Sequence, residues 1–228
     1  MNPSIPGRYA DPSFTALEAG VLEWLDGFYQ LEHLLNTRAW VIELCQGNAS
    51  EALRFAALSH DAERFFPGGP SDTPANGFDD PDYLFAHSTR SADIVEAWMA
   101  EQGADAAFRR QVRRLILRHE IGGGWEADIL QAADALSFLE VFDWLAVDWV
   151  RRGAYTIESA KEKLCWSMQR IRPPLALHRA LPLFEAATRT LDAAFDIEID
   201  LKARRQQASS RCFLLGESSH GIEQGGAA

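Results

Sequence analysis

The stretch Glu51-Ala52-Leu53-Arg54-Phe55-Ala56-Ala57-Leu58-Ser59-His60-Asp61 sets a histidine and an aspartate side by side at the end of an apolar helical run. Leu53, Ala56 and Ala57 precede His60 by seven, four and three residues, the spacing of one helix face, so His60 is expected on the buried side of its helix. The adjacent Asp61 suits a bridging ligand, because neighbouring residues at a helix end can reach two ions from one backbone position. Working outward, His33 precedes this dyad and His87, His119 and Asp134 follow it, so the chain orders its candidate ligands as H…HD…H…H…D. Imidazole nitrogens and carboxylate oxygens hold iron, manganese, zinc and similar divalent ions in water-accessible sites without thiolates. Six such ligands are enough for two metal ions.

A single histidine on an apolar helix face is more often a hydrogen-bonded core residue than a ligand, so each member has to be weighed by its neighbours. His119 closes a stripe with Val112, Leu115 and Ile116, and His87 lies in line with Leu84, Ser91, Ile94 and Trp98. Asp134 is the most telling, one turn after Leu130 and one turn before Phe138, on a face that continues through Val141 and Leu145. A buried carboxylate needs a positive partner or a metal.

The His60-Asp61 dyad with flanking His33 and late Asp134 resembles the HD-domain superfamily of metal-dependent phosphohydrolases. The additional His87 and His119 resemble its dinuclear branch, which includes the HD-GYP cyclic dinucleotide phosphodiesterases and the diiron oxygenases related to myo-inositol oxygenase and to a phosphonate-degrading enzyme. The resemblance spans about Tyr29 to Trp149 and rests on ligand order and helical context. It implies an all-α, single-domain bundle of HD type. It also implies that His33, His60 and Asp134 hold one ion, His87 and His119 the second, and that Asp61 contacts both.

Departures from the family patterns narrow this reading. Where many such phosphohydrolases carry a lysine three positions after the Asp, this chain has Arg64 in Asp61-Ala62-Glu63-Arg64. No GYP-type motif follows His119, where the sequence is Glu120-Ile121-Gly122-Gly123-Gly124-Trp125, which disfavours cyclic dinucleotide cleavage. The HDxxED pattern of guanosine tetraphosphate hydrolases is missing as well. The implied activity is hydrolysis of a small phosphorylated substrate by a metal-activated water. Arg64 or Arg90 would clamp a phosphate oxygen, and Asp61, Glu63 and Glu120 would serve the chemistry, either carboxylate of the last two as acid or base. The same six ligands serve the diiron oxygenase relatives, and a non-catalytic metal-binding module is a third reading. Imidazole-rich donors favour iron, manganese or zinc over magnesium.

Composition agrees with one helical domain. A chain of 228 residues can bury a sizeable core. No long apolar run and no signal pattern is present, so a cytoplasmic protein without membrane partners is expected. Cys45, Cys165 and Cys212 are odd in number and widely spaced, which suits reduced thiols. A net charge of −11 argues against nucleic-acid binding and leaves a small anionic substrate as the expected partner.

Periodicity predicts about seven to eight helices and no strand. They run from about Phe14 to Asp26, Phe28 to Cys45, Ser50 as N-cap into the dyad, Pro81 to Met99, Ala104 to His119, Glu126 to Val150, Thr156 to Ile171 and Ala176 to Phe195. Residues 1–13 form an N-terminal extension, 14–200 the domain, and 201–228 a Ser-, Gln- and Gly-rich tail expected to be disordered, with His220 in it. His178 suits a packing or surface role. The turn-rich loop Phe66 to Asp80 lies between dyad and third histidine, and suits a lid or a surface excursion equally. Arg109, Arg110, Arg113, Arg114 and Arg118 point mostly away from His119, as a solvated face does. The seven tryptophans are expected in the core rather than as a stacking platform.

Overall fold

Residues 13–70, 74, 76–196, 202, 205 and 206 are described by the structure, a computed structural model. Among them are nine α-helices and no strand, one or two helices more than periodicity predicts. They are α1 (Ala16–Trp24), α2 (Leu31–Leu44), α3 (Glu51–Ala57), α4 (Pro81–Glu101), α5 (Ala106–Ile116), α6 (Trp125–Val141), α7 (Asp143–Arg151), α8 (Ile157–Arg170) and α9 (Pro174–Ala194), with a 3₁₀ turn at Ala62–Phe65. The expected N-terminal extension and C-terminal tail, with Cys212 and His220, lie outside the described residues except for Ser13, Lys202, Arg205 and Gln206. No described helix is long and apolar enough to cross a membrane.

Short polar side chains start most of these helices by accepting the first free backbone N–H groups. Thr15 and Glu18 form a reciprocal capping box on α1, Ser50 caps α3, Asp80 caps α4 ahead of Pro81, Asp105 caps α5 and Thr156 caps α8. Glu18 has a second task. Fully buried, it accepts from Arg38 Nε at 3.0 Å and Arg54 Nε at 3.3 Å, which pins α1 across α2 and α3.

The central element is α6, which packs against α2, α3, α5, α8 and α9. Its buried run Ala132-Ala133-Asp134-Ala135-Leu136-Ser137 is mostly small, so neighbouring backbones approach closely and Asp134 is held in the middle of the bundle. Two helices end at site histidines. His60 donates from Nδ1 to the Ala57 carbonyl at 3.1 Å and His119 to the Ile116 carbonyl at 2.7 Å. A continuing helix would offer each carbonyl to the N–H four residues on; here the ring bonds it, and the Ile116 carbonyl also accepts from His119 N–H at 3.3 Å. The helix expected to reach His119 accordingly stops at Ile116. Gly122 (φ 66°) then reverses the chain; a Cβ there would sit 2.4 Å from Asp128 Oδ1.

The single helix expected from Glu126 to Val150 is two. α6 and α7 meet at Phe142 (φ −116°, ψ 20°), where Asp143 Oδ1 accepts from Trp144 N–H at 2.6 Å and Oδ2 from the Thr190 hydroxyl at 2.9 Å. These side-chain bonds compete with helix continuation and tie the bend to α9. The break sets Phe142 over the His33 ring, centroids 5.0 Å apart. Trp98 and Trp149 are core residues as expected, whereas Trp125 and Trp144 are exposed. His178 is exposed on α9, Arg110, Arg114 and Arg118 face solvent, and neither Cys45 nor Cys165 is in a disulfide.

Candidate metal centre

Five elements bring the six expected ligands together. His33 comes from α2, His60 and Asp61 from the turn after α3, His87 from α4, His119 from the turn after α5, and Asp134 from α6. All six are buried. Each histidine is fixed at Nδ1 and turns Nε2 toward the carboxylates. The Ser137 hydroxyl donates to the His33 carbonyl at 2.9 Å and so accepts from His33 Nδ1 at 2.8 Å. Glu63 Oε1 accepts from His87 Nδ1 at 2.8 Å, and the helix-end carbonyls hold His60 and His119. With Nδ1–H committed, a neutral ring carries its lone pair on Nε2, the arrangement that outer hydrogen bonds impose on metal-binding histidines.

The ligand atoms form two groups, His33–His60–Asp61 and Asp61–His87–His119, each with its atoms within 4.8 Å of one another, and Asp61 belongs to both. Asp61 Oδ1 lies 2.9 Å from His87 Nε2, 3.7 Å from His119 Nε2 and 3.9 Å from His60 Nε2. Asp134 Oδ1 lies 3.2 Å from His33 Nε2 and 3.5 Å from His60 Nε2. The Nε2 atoms of His60 and His119 are buried without a hydrogen-bond partner. Buried ring nitrogens without partners, set beside buried carboxylates, fit a cation, so the residues present can hold a metal ion.

The protonation pattern follows from crowding in low dielectric. Burial works against charge on Asp61, but His60, Arg64 and His87 outweigh it and hold the carboxyl well below the usual range. Asp134 is depressed likewise, burial being overcome by Arg170, His33 and His60. Burial alone would lower His60, yet Asp61 and Asp134 lift it to about 9. His119 goes the other way: burial, with His60 and His87 nearby, brings it down to about 4. Without metal, protons and arginines therefore stand in for the missing positive charge.

A cavity opens on this cluster, lined by Asp61, Asp134 and Glu120, by Arg64, Lys163 and Arg170, and by aromatic rings including Phe78, Tyr83, Phe138 and Phe142. Of the residues expected to bind substrate, Arg64 faces the cavity, with Nε 3.5 Å from Asp61 Oδ2 and its guanidinium donating to the Tyr83 hydroxyl. Arg90 does not line it. It donates to the Pro67 carbonyl at 2.7 Å and lies 3.5 Å from Glu63 Oε2, fastening the loop after the 3₁₀ turn. Of the two carboxylates expected as acid or base, Glu120 is on the cavity, whereas Glu63 sits behind His87. Burial would raise Glu120, but Arg170 holds it below its ordinary value, so it is ionised at neutral pH. From the long loop, Phe78 reaches the cavity wall; residues 71–73 and 75, on which the lid expectation also falls, lie outside the described residues.

Sequence reasoning missed Lys163 and Arg170. Arg170 pairs with both Glu120 and Asp134. The available signal was their spacing on α8, where Lys163, Trp166 and Arg170 fall at i, i+3 and i+7 and share one face. Searches against protein-family models, curated proteins and solved structures each find no match to this chain.

Proposed function

We propose that the protein is a metal-dependent phosphohydrolase of the HD type, acting on a small phosphorylated substrate with two divalent ions bridged by Asp61. The observation that carries this reading is the pair of His/Asp groups sharing Asp61 at the wall of a cavity that also presents arginine and lysine side chains. Divalent ions held there would supply a hydroxide nucleophile near neutral pH and positive charge for phosphoryl oxygens.

The chain's own residues supply the remainder. His33, His60 and Asp134 would hold one ion and His87 and His119 the other, with the rings oriented by the Nδ1 partners Ser137, Ala57, Glu63 and Ile116. Glu63 is a positioning residue. Arg64 offers a guanidinium N–H to a nonbridging phosphate oxygen; its Nη1 is buried without a partner. Glu120, ionised and 3.7 Å from His119 Nε2, is placed to take the proton of an attacking water and return it to the leaving oxygen. Phe138, Phe142 and Trp149 keep bulk water from that wall.

The test is phosphate release from a panel of phosphomonoesters and phosphodiesters by metal-loaded protein, with and without oxygen and after chelation. Metal-dependent release that ignores oxygen supports hydrolysis. Oxygen uptake coupled to substrate loss, with no release under anaerobic conditions, replaces it with the diiron oxygenase reading.

A further inference from the structure

The three cations on the cavity wall are not used alike. Arg64 is paired with Asp61, and Arg170 with Glu120 and Asp134. The Lys163 ammonium has no salt bridge and no hydrogen bond among the described residues. Its Nζ is seated on aromatic faces instead, 4.2 Å from the Trp166 ring centroid, 5.3 Å from Phe78 and 5.4 Å from Phe138. Aromatic faces steady a cation through their quadrupoles but offer it no oxygen to bond. Burial, with Arg170 beside it, pulls its pKa down to about 8 against the opposing pull of the Glu120 and Asp134 carboxylates.

That seat spans three elements. Trp166 lies one turn along α8, Phe138 comes from α6 below the metal ligand Asp134, and Phe78 comes from the loop that precedes α4. The rings flank the ammonium, and Lys163 lines the cavity, where a bound anion could offer it an acceptor.

We infer that Lys163 is a further anion-recognition residue of the site, beside Arg64: its Nζ binds an anionic oxygen of the substrate, a phosphate oxygen under the reading above, on which this inference rests. Arg64 and Arg170 are in direct contact with carboxylates, whereas the Lys163 Nζ makes no direct contact with one and keeps its donors for a substrate oxygen. Binding an anion there lowers the cost of burying the charge, and the contact sets affinity more than turnover.

The experiment titrates inorganic phosphate into manganese-loaded protein by calorimetry, comparing wild type with Lys163→Met, which keeps the side chain's length against the rings, and Lys163→Arg, which keeps the charge. Metal content and melting temperature are measured on each. Lys163→Met should weaken phosphate binding about 10- to 150-fold, as for loss of one charge-assisted hydrogen bond, with metal content unchanged. KM for hydrolysed phosphoesters should rise by a similar factor with kcat little altered, and Lys163→Arg should recover most of the binding. If Lys163→Met melts early, Lys163→Gln replaces it in the same comparison. A folded, metal-loaded Met or Gln variant with wild-type phosphate affinity overturns the inference and leaves the proposed function standing. Wild-type protein that holds metal but binds no phosphate overturns both.

Discussion

Arg170→Met is the perturbation whose size the structure fixes best. The Arg170 side chain is 8 % exposed and is paired with Glu120 Oε2 and, at 3.0 Å, with Asp134 Oδ2. Methionine fills much of the same space and removes the charge, leaving two carboxylates buried against each other. Deleting one partner of a buried ion pair costs about 3–5 kcal/mol. For a domain of this size that corresponds to a fall in melting temperature of about 6–20 °C. The site's own chemistry modifies the loss. Under the proposed function, a divalent cation at Asp134, His33 and His60 would supply positive charge where the guanidinium was, so at saturating metal the loss should shrink to about half or less. Calorimetry of wild type and variant, each stripped and each saturated with manganese or zinc, gives four melting temperatures and the difference of differences. Equal losses in the stripped and loaded forms would refute the argument that Arg170 and the metal neutralise the same carboxylates. A loss under about 1 kcal/mol in the stripped form would show the pair to be solvent-screened rather than buried.

Removing a ligand of one group should differ from removing the shared one: His87→Ala should keep about one metal ion per chain and lose most activity, whereas Asp61→Ala should empty or scramble both positions, as read by elemental analysis. Glu63→Gln keeps the shape behind His87 and removes the charge, and should lower metal affinity about 10- to 100-fold in a chelator competition, while a role limited to filling space predicts no change. The stripped protein should be most stable near neutrality. His60, raised to about 9, contributes stability that is complete below its ordinary value of 6.5 and is lost as pH rises toward 9. His119, lowered to about 4, contributes stability that is complete above 6.5 and is lost as pH falls toward 4. Denaturant melts across that range check both limbs, and a flat profile contradicts the electrostatic picture of the cluster.

The buried His/Asp cluster was legible in the sequence because each of its residues lies on a helix face whose other members are apolar. The 3.6-residue period puts His60 with Leu53, Ala56 and Ala57, and Asp134 between Leu130 and Phe138, without knowledge of the fold. The break at Phe142 was not legible, because Val141-Phe142-Asp143-Trp144 continues a helical pattern and the competing bonds from Asp143 depend partly on Thr190, 47 residues away. Glu63 and Arg90 read as cavity residues from their spacing to Asp61 and His87. Their real partners, the far nitrogen of His87 and the Pro67 carbonyl, follow from how the 3₁₀ turn lies against α4. Lys163 and Arg170 sit among several other charges of α8, and nothing in the sequence beyond their shared face singles them out as cavity residues. Only the packing of α8 on α6 turns them into the cavity.

The central claim is that two His/Asp groups hold metal through a common Asp61, and the most direct measurement is the metal content of the purified, reconstituted chain. Elemental analysis should find about two ions per chain, of iron, manganese or zinc. Less than about one ion per chain after reconstitution would mean that the four histidines are a hydrogen-bonded core held together by protons and arginines, and the proposed chemistry would fall with the metals.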